Sequence, residues 1–268
     1  MDTPQILTFN FSQEEILLIS MKLRFPLMIG LEKSLLDLPK ESMQIATTAA
    51  EHTLVARDFL RKDGDGNLKL IPIVVALIGA CSKPERSIIA ICTGSDSITP
   101  AVEIFHFTRQ MIVNQAVKSP GVYSLTALTD KKQVLDGITQ LMNPGAYQKP
   151  DCPVSKIPGP VFGESRKLAH EMKEADVYTL LAVHMPKNTA VKLGQTLLKL
   201  DASITVAEII PGKKPGDLTG EGFTFLLGDG KLWVIQQVEI ISPDGENLLS
   251  IEPISADDVA VWLEKLIH

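Results

Sequence analysis

Two rhythms of hydrophobic spacing run through the chain. After Ser12 the apolar residues Ile16, Leu17, Ile19 and Leu23 recur at helical spacing, and Ser12 with Glu15 three residues on makes a capping box in front of them. ILTFNF, just before, predicts a first strand. SLLDLPKESMQIATTAAEHTLVARDFL reads as two helices, followed by a short hairpin that turns at residues 63–67. This helix–hairpin order is winged-helix-like. IPIVVALIGAC then predicts a core helix.

From residue 86 the rhythm shortens to that of strands. RSIIAICTG, AVEIFHF, MIVNQAV and VYSLTAL are short runs rich in β-branched and aromatic residues, broken by TRQ and KSPG, and predict an antiparallel meander. TDKKQVLDGITQLM, with Thr129 as N-cap, predicts the helix that closes this half. Residues 143–165 differ: five of the chain's 17 prolines fall there, and that density suits an extended connection. Beyond it, SRKLAHEMKEA and NTAVKLGQTLLKL predict helices, and SITVAEII, GFTFLL, KLWVIQQVEI and NLLSIEPI predict strands. GFTFLLGDGKLWV is a hairpin turning at Gly228, Asp229 and Gly230. SADDVAVWLEKLIH predicts a last helix. Ser255 is its N-cap, Asp257 and Asp258 lie at the positive end of its dipole, and Lys265 and His268 at the negative end.

The order helix, four strands, helix thus occurs twice, with an offset of about 120 residues (Val102 with Gly222, Met111 with Leu232). The fold class expected is α+β: two pseudo-repeated antiparallel β-meander and helix halves, 1–142 and 166–268, joined by the proline-rich connection 143–165, with the winged-helix-like segment near the N-terminus. The pattern leaves open whether the halves make one sheet or two.

The acidic stretch RKDGDGNLKL invites a calcium reading, because Asp63, Asp65 and Asn67 take positions 1, 3 and 5 of an EF-hand loop. Position 6 is Leu68 where the bend needs Gly, position 12 is Val74, whose side chain has no oxygen for the bidentate ligand, and Pro72 stands where the exiting helix should begin. A tight turn between strands is the better reading, since Asp-Gly pairs accept positive φ.

Composition narrows the function classes. The 268 residues are 45% hydrophobic and 22% charged, and only 5% aromatic, so aliphatic packing carries the core. A net charge of −6 argues against general affinity for nucleic acid or anionic membranes. Cys81, Cys92 and Cys152 are odd in number and match no zinc or redox spacing. They read as thiols in a reducing cytosol. The start MDTPQILTFNF lacks a basic n-region, and LIPIVVALIGAC is too short to span a bilayer. A cytoplasmic protein without metal or cofactor is expected.

Catalytic signatures are scarce. GxSxG, HExxH and GxxxxGK[ST] do not occur. PGKKPG (residues 211–216) has the wrong spacing for a phosphate loop and reads as a basic solvated loop. GPVFG precedes a helix but follows no predicted strand. His106 and His184 read as hydrogen-bonded strand or core histidines, and His52 as one on a solvated helix face. In KLWVIQQVEI, Leu232, Val234, Val238 and Ile240 share one face, while Lys231, Trp233, Ile235, Gln237 and Glu239 share the other. That second, half-apolar face either lies under helices or forms a partner surface at Trp233, Ile235 and Gln237.

Three functions remain in play: a protein-binding adaptor or chaperone, a winged-helix DNA-binding regulator, and an enzyme whose site leaves no linear motif. The candidate recognition helix carries one Arg against three acidic residues, the wrong sign for phosphate contacts. AAEHTLVARDFLRKDGDGNLKLIPIVVALIGACSKPERSIIA (residues 49–90) resembles the helix, Asp-Gly turn, helix, xxPxR, strand order of EspG-type chaperones of type VII secretion. Those proteins are similar to the present layout in having two related halves around an antiparallel sheet. The resemblance implies a non-enzymatic chaperone that binds a helical-hairpin secretion substrate. It assigns no functional residue.

Overall fold

The computed structural model of the chain describes residues 7–31, 37–95, 99–212, 218–238 and 247–267. Among the described residues, eight α-helices and an extensive antiparallel β-structure make it α+β. The chain divides into two compact units, Met1–Ile88 with Val102–Val134 and Ile209–Thr219, and Ile89–Ala101 with Leu135–Glu208 and Gly220–His268.

In the first unit β1 (Thr8–Ser12) leads into α1 (Gln13–Leu23). The Ser12 and Glu15 capping box is present, with the Glu15 backbone N–H donating to Ser12 Oγ and the Ser12 N–H to the Glu15 carboxylate. α2 (Lys40–Ala56) is followed by β2 (Leu60–Lys62) and β3 (Leu68–Leu70), the expected hairpin. Asp63 shapes its turn: Oδ1 accepts from the backbone N–H groups of Asp65 and Asn67, while Lys69 Nζ lies 2.9 Å from Oδ2. α3 (Pro72–Ser82) opens with Pro72, whose missing N–H costs nothing in a first turn.

β4 (Arg86–Gly94), β5 (Ala101–Phe107), β6 (Ile112–Ser119) and β7 (Val122–Leu128) follow the predicted runs closely. Within this unit the sheet order is β1-β7-β6-β5, antiparallel throughout. Its core packs Phe11 from β1, Ile16 and Ile19 from α1, Leu54 from α2, Leu77 and Ile78 from α3, and Tyr123 and Leu125 from β7. Each such side chain contributes roughly 1.5–3 kcal/mol of burial. α4 (Lys131–Met142) is capped by Asp130, whose Oδ1 accepts from the Gln133 N–H, and not by the expected Thr129. The Thr129 backbone N–H is instead bonded by the Gln133 side chain.

The second unit shows what the proline-rich segment does. A 3-10 turn (Pro144–Ala146) is followed by β8 (Ser155–Pro158) and directly by α5 (Gly159–His170). The prolines fit because Pro158 ends an edge strand and Pro160 sits in a helical first turn. A strand therefore does precede GPVFG, contrary to expectation, and Gly159 to Gly163 lie inside α5. α6 (Glu174–His184) and α7 (Lys187–Leu198) complete a three-helix layer. β9 (Leu200–Pro211) follows; its last residues, which fall in the first unit, pair with β10 (Leu218–Thr219) of that unit. The sheet here runs β9-β11-β12-β13-β8, with β11 (Gly222–Gly228), β12 (Lys231–Val238) and β13 (Leu248–Pro253). The Gly228-Asp229-Gly230 turn is present, with Asp229 at φ 49°. Asp229 accepts from Lys199 at 3.0 Å and pairs with Lys231, which holds its carboxyl below the usual range.

α8 (Ala256–Glu264) has Ser255 as N-cap, in a capping box with Asp258. Its Trp262 meets Phe223 edge to face at 5.5 Å. On the opposite sheet face, Leu226, Trp233, Ile235, Ile251 and Ile157 pack with Phe162, Val177, Leu181 and Leu193 from α5, α6 and α7. The order helix, four strands, helix occurs as α3-β4-β5-β6-β7-α4 and again as α7-β9-β11-β12-β13-α8, with the two-residue β10 inserted in the second. The PGKKPG loop lies, from residue 213 on, outside the described residues, as do Glu239, Ile240 and His268.

Candidate partner-binding groove

The face proposed from KLWVIQQVEI divides in the structure. Trp233 is completely buried and Ile235 nearly so, covered by the helical layer, and Trp233 Nε1 donates to Thr196 Oγ1 of α7 at 2.9 Å. These two belong to the core, because a pleat that places them opposite Val234 turns them toward α7. Of the three, Gln237 alone is exposed.

The histidines also separate. His106 is fully buried, as expected of a strand histidine. Its Nε2 lies 2.9 Å from Gln115 Oε1 and its Nδ1 2.9 Å from Ser87 Oγ. Gln115 Nε2 donates to the Ile29 carbonyl, so Gln115 Oε1 must accept from His106 Nε2–H, and Ser87 must donate to Nδ1. The chain of bonds fixes the tautomer and ties the segment around Ile29 to the sheet. Burial holds His106 down at about 4. His184 is not a core residue: it is exposed in the last turn of α6. His52 is exposed on α2, as expected, beside Glu41, Gln44 and Ile45 around a cavity of about 490 Å³.

A second cavity, about 580 Å³, combines apolar and cationic groups within the second unit. Arg166, Lys167, Ala169 and His170 line it from the last two turns of α5, Leu197 and Leu198 from the end of α7, Leu200 from β9, and Thr93, Gly94 and Ser95 from the end of β4. The Ser95 backbone N–H donates to the Asp201 carbonyl at 2.9 Å, which anchors the β4 end beside β9. Met172 completes the lining.

Met172 is held there by the way α5 ends. Lys173 N–H donates to the Leu168 carbonyl at 2.9 Å and Met172 N–H to the Ala169 carbonyl at 3.0 Å, with Met172 itself left-handed at φ 57°. This is a Schellman closure, and its left-handed position usually takes Gly. A methionine there costs roughly 1–2 kcal/mol in backbone strain. It also leaves a large flexible apolar side chain 72% exposed. An apolar group displayed at a strained position points to use in contact.

The charges around the groove are unequally matched. Glu171 is claimed by Lys173 at 2.6 Å, and its carboxyl is held below the usual range first by that hydrogen bond. Lys167 reaches Glu164 at 3.6 Å with both groups exposed, a pair of little energetic weight. Arg166 has no partner among the described residues. The groove therefore offers an apolar floor of leucines beside a rim on which Arg166 stands unpaired among the described residues, while Lys167 and His170 lie near Glu164 and Glu171. Its residues come from stretches near 94, 168 and 198, so no linear motif announces it. The one local sign in the sequence is the basic run RK followed by His170 and Met172 at the end of a helix.

No protein-family model matches the chain, and no curated protein matches it. Among solved structures it is similar to the Mycobacterium tuberculosis type VII secretion system chaperone EspG5, solved in complex with the PE25-PPE41 dimer. The match has a TM-score of 0.66 at 12% identity and covers 97% of this chain and 96% of that one. The likeness establishes the fold, an EspG-like α+β architecture, in keeping with the resemblance of residues 49–90. Among the described residues no helix is long and apolar enough to cross a membrane.

Proposed function

We propose that this chain is a cytoplasmic, non-enzymatic chaperone that holds a helical protein partner, of the kind represented by the PE–PPE dimer, ahead of secretion. The observation that carries the reading is the end-to-end likeness to EspG5. The groove beside Met172 adds a site of suitable character, since an exposed apolar side chain within a charged rim is what protein contacts use. The three thiols, unpaired in the structure, suit a reducing compartment.

The reading is tested by affinity capture of tagged protein from its native host, followed by coexpression of any captured secreted protein with this chain. A stable stoichiometric complex on gel filtration is the expected result. If captured candidates are abundant enzymes or nucleic-acid proteins that do not reconstitute, the chaperone reading is wrong.

A further inference from the structure

We infer that the segment of the partner seated in the Met172 groove is acidic, presenting carboxylates beside an apolar anchor. This rests on the protein-binding reading above and specifies the chemistry of its partner. The groove's floor accepts an apolar side chain through Ala169, Leu197, Leu198 and Leu200, and Met172 is adaptable enough to close over one. The rim demands the opposite sign to its own. Arg166 is unpaired among the described residues, Lys167 has only an exposed partner at 3.6 Å, and Glu171 is already engaged by Lys173. A planar guanidinium free at the edge of an apolar groove is suited to bidentate carboxylate capture. The local sign is also opposite to the whole chain, whose net charge is −6, so non-specific acidic proteins are repelled while a correctly shaped acidic segment is drawn to this one place.

The test is a selection from a displayed library of helical hairpins, run in parallel against the wild-type chain, R166E/K167E and M172G. Arg166 and Lys167 are exposed, and Met172→Gly relieves a left-handed residue, so both variants fold and M172G melts no lower than wild type. Wild type is expected to enrich hairpins with Asp or Glu within one turn of Leu, Ile or Phe. Those clones lose about tenfold or more in affinity for R166E/K167E, and their association rate falls as salt rises. M172G recovers fewer of them. Binders that show no acidic enrichment, or that bind R166E/K167E equally well, overturn the inference and leave the protein-binding reading standing. Recovery of no binder by the folded wild-type chain counts against both.

Discussion

His106 and Arg57 show how single side chains set the stability of the first unit. His106 is neutral in the fold and its bonds leave no place for a second ring proton without turning Ser87 around. The unfolded chain takes that proton as pH falls through about 6.5, while the folded chain resists until about 4. The unfolded state thus binds more protons across this window, and stability falls with acid by about 3 kcal/mol between the two values. Glu103, held above its ordinary range by burial, acts in the opposite sense. The contribution of His106 is therefore read as a difference: thermal melts of H106Q from pH 7 to 4 should show a shallower fall than wild type. Equal slopes would mean that the histidine is not the titrating group. Arg57 works through geometry. Its Nη1 reaches both oxygens of the buried Glu15 at 3.1 and 3.0 Å, its Nη2 donates to the Asn10 carbonyl, and its guanidinium lies 4.4 Å from the Phe59 ring centroid. Removing it strands a buried carboxylate with only Ser12 and Thr53 as donors. R57A should lose about 2 kcal/mol in urea unfolding, less than for a fully buried pair because Arg57 is partly exposed. The sequence showed the Ser12 and Glu15 box but could not show Arg57, which is 42 residues away and meets Glu15 only when α2 packs on α1.

Elements were legible where local chemistry decides them. β4, β5 and β7 span the predicted runs, and the predicted Ser12 capping box and Ser255 N-cap are present, because alternation and caps act over a few residues. Misreadings arose where a longer-range partner overrides local preference. Pro158 reads as linker, yet Ser155 to Pro158 pairs with β13, because the edge of a sheet tolerates proline. The helical layer was legible as two helical stretches where the structure has the three helices α5, α6 and α7, and its cover over Trp233 depends on a packing that periodicity does not encode. The β11–β12 hairpin gives a sharp test of such packing. A Cβ on Gly228 would lie 2.4 Å from the Lys199 carbonyl oxygen and 2.6 Å from that of Thr196, both backbone atoms at the end of α7. Neither can move without unwinding the helix, so G228A should cost about 2–3 kcal/mol by thermal melt. Gly64, in the β2–β3 turn, has nothing within 4 Å and no left-handed backbone. G64A should be neutral or stabilising, by up to about 1 kcal/mol. If both substitutions are neutral, the close seat of the hairpin on α7 is wrong.

At the scale of the whole molecule, the sheet ends raise a problem that the sequence solves with side chains. A strand bonded on one side offers its free backbone groups to any other chain. In the first unit β1 is such a strand, and Arg57 occupies its outward Asn10 carbonyl. In the second unit β8 is the end strand, and its protection comes from its residues. The Gly159 N–H donates to the Asn247 carbonyl, so Ile157 and Ser155 continue the inward-bonding set and Lys156 directs its N–H and C=O outward. Pro158, next in the outward set, has no N–H to give, and Lys156 places a charge between. A protein with open sheet ends must avoid adding strands at random, and short, charged, proline-bounded edges meet that need. K156V/P158T removes both guards, while threonine at 158 keeps a good N-cap for α5. That variant should keep the wild-type circular dichroism and associate with rising concentration in light scattering, where the wild type stays constant. If K156V/P158T scatters like the wild type across the same range, these two residues do not guard the edge, and the protection of β8 must come from its length of four residues alone.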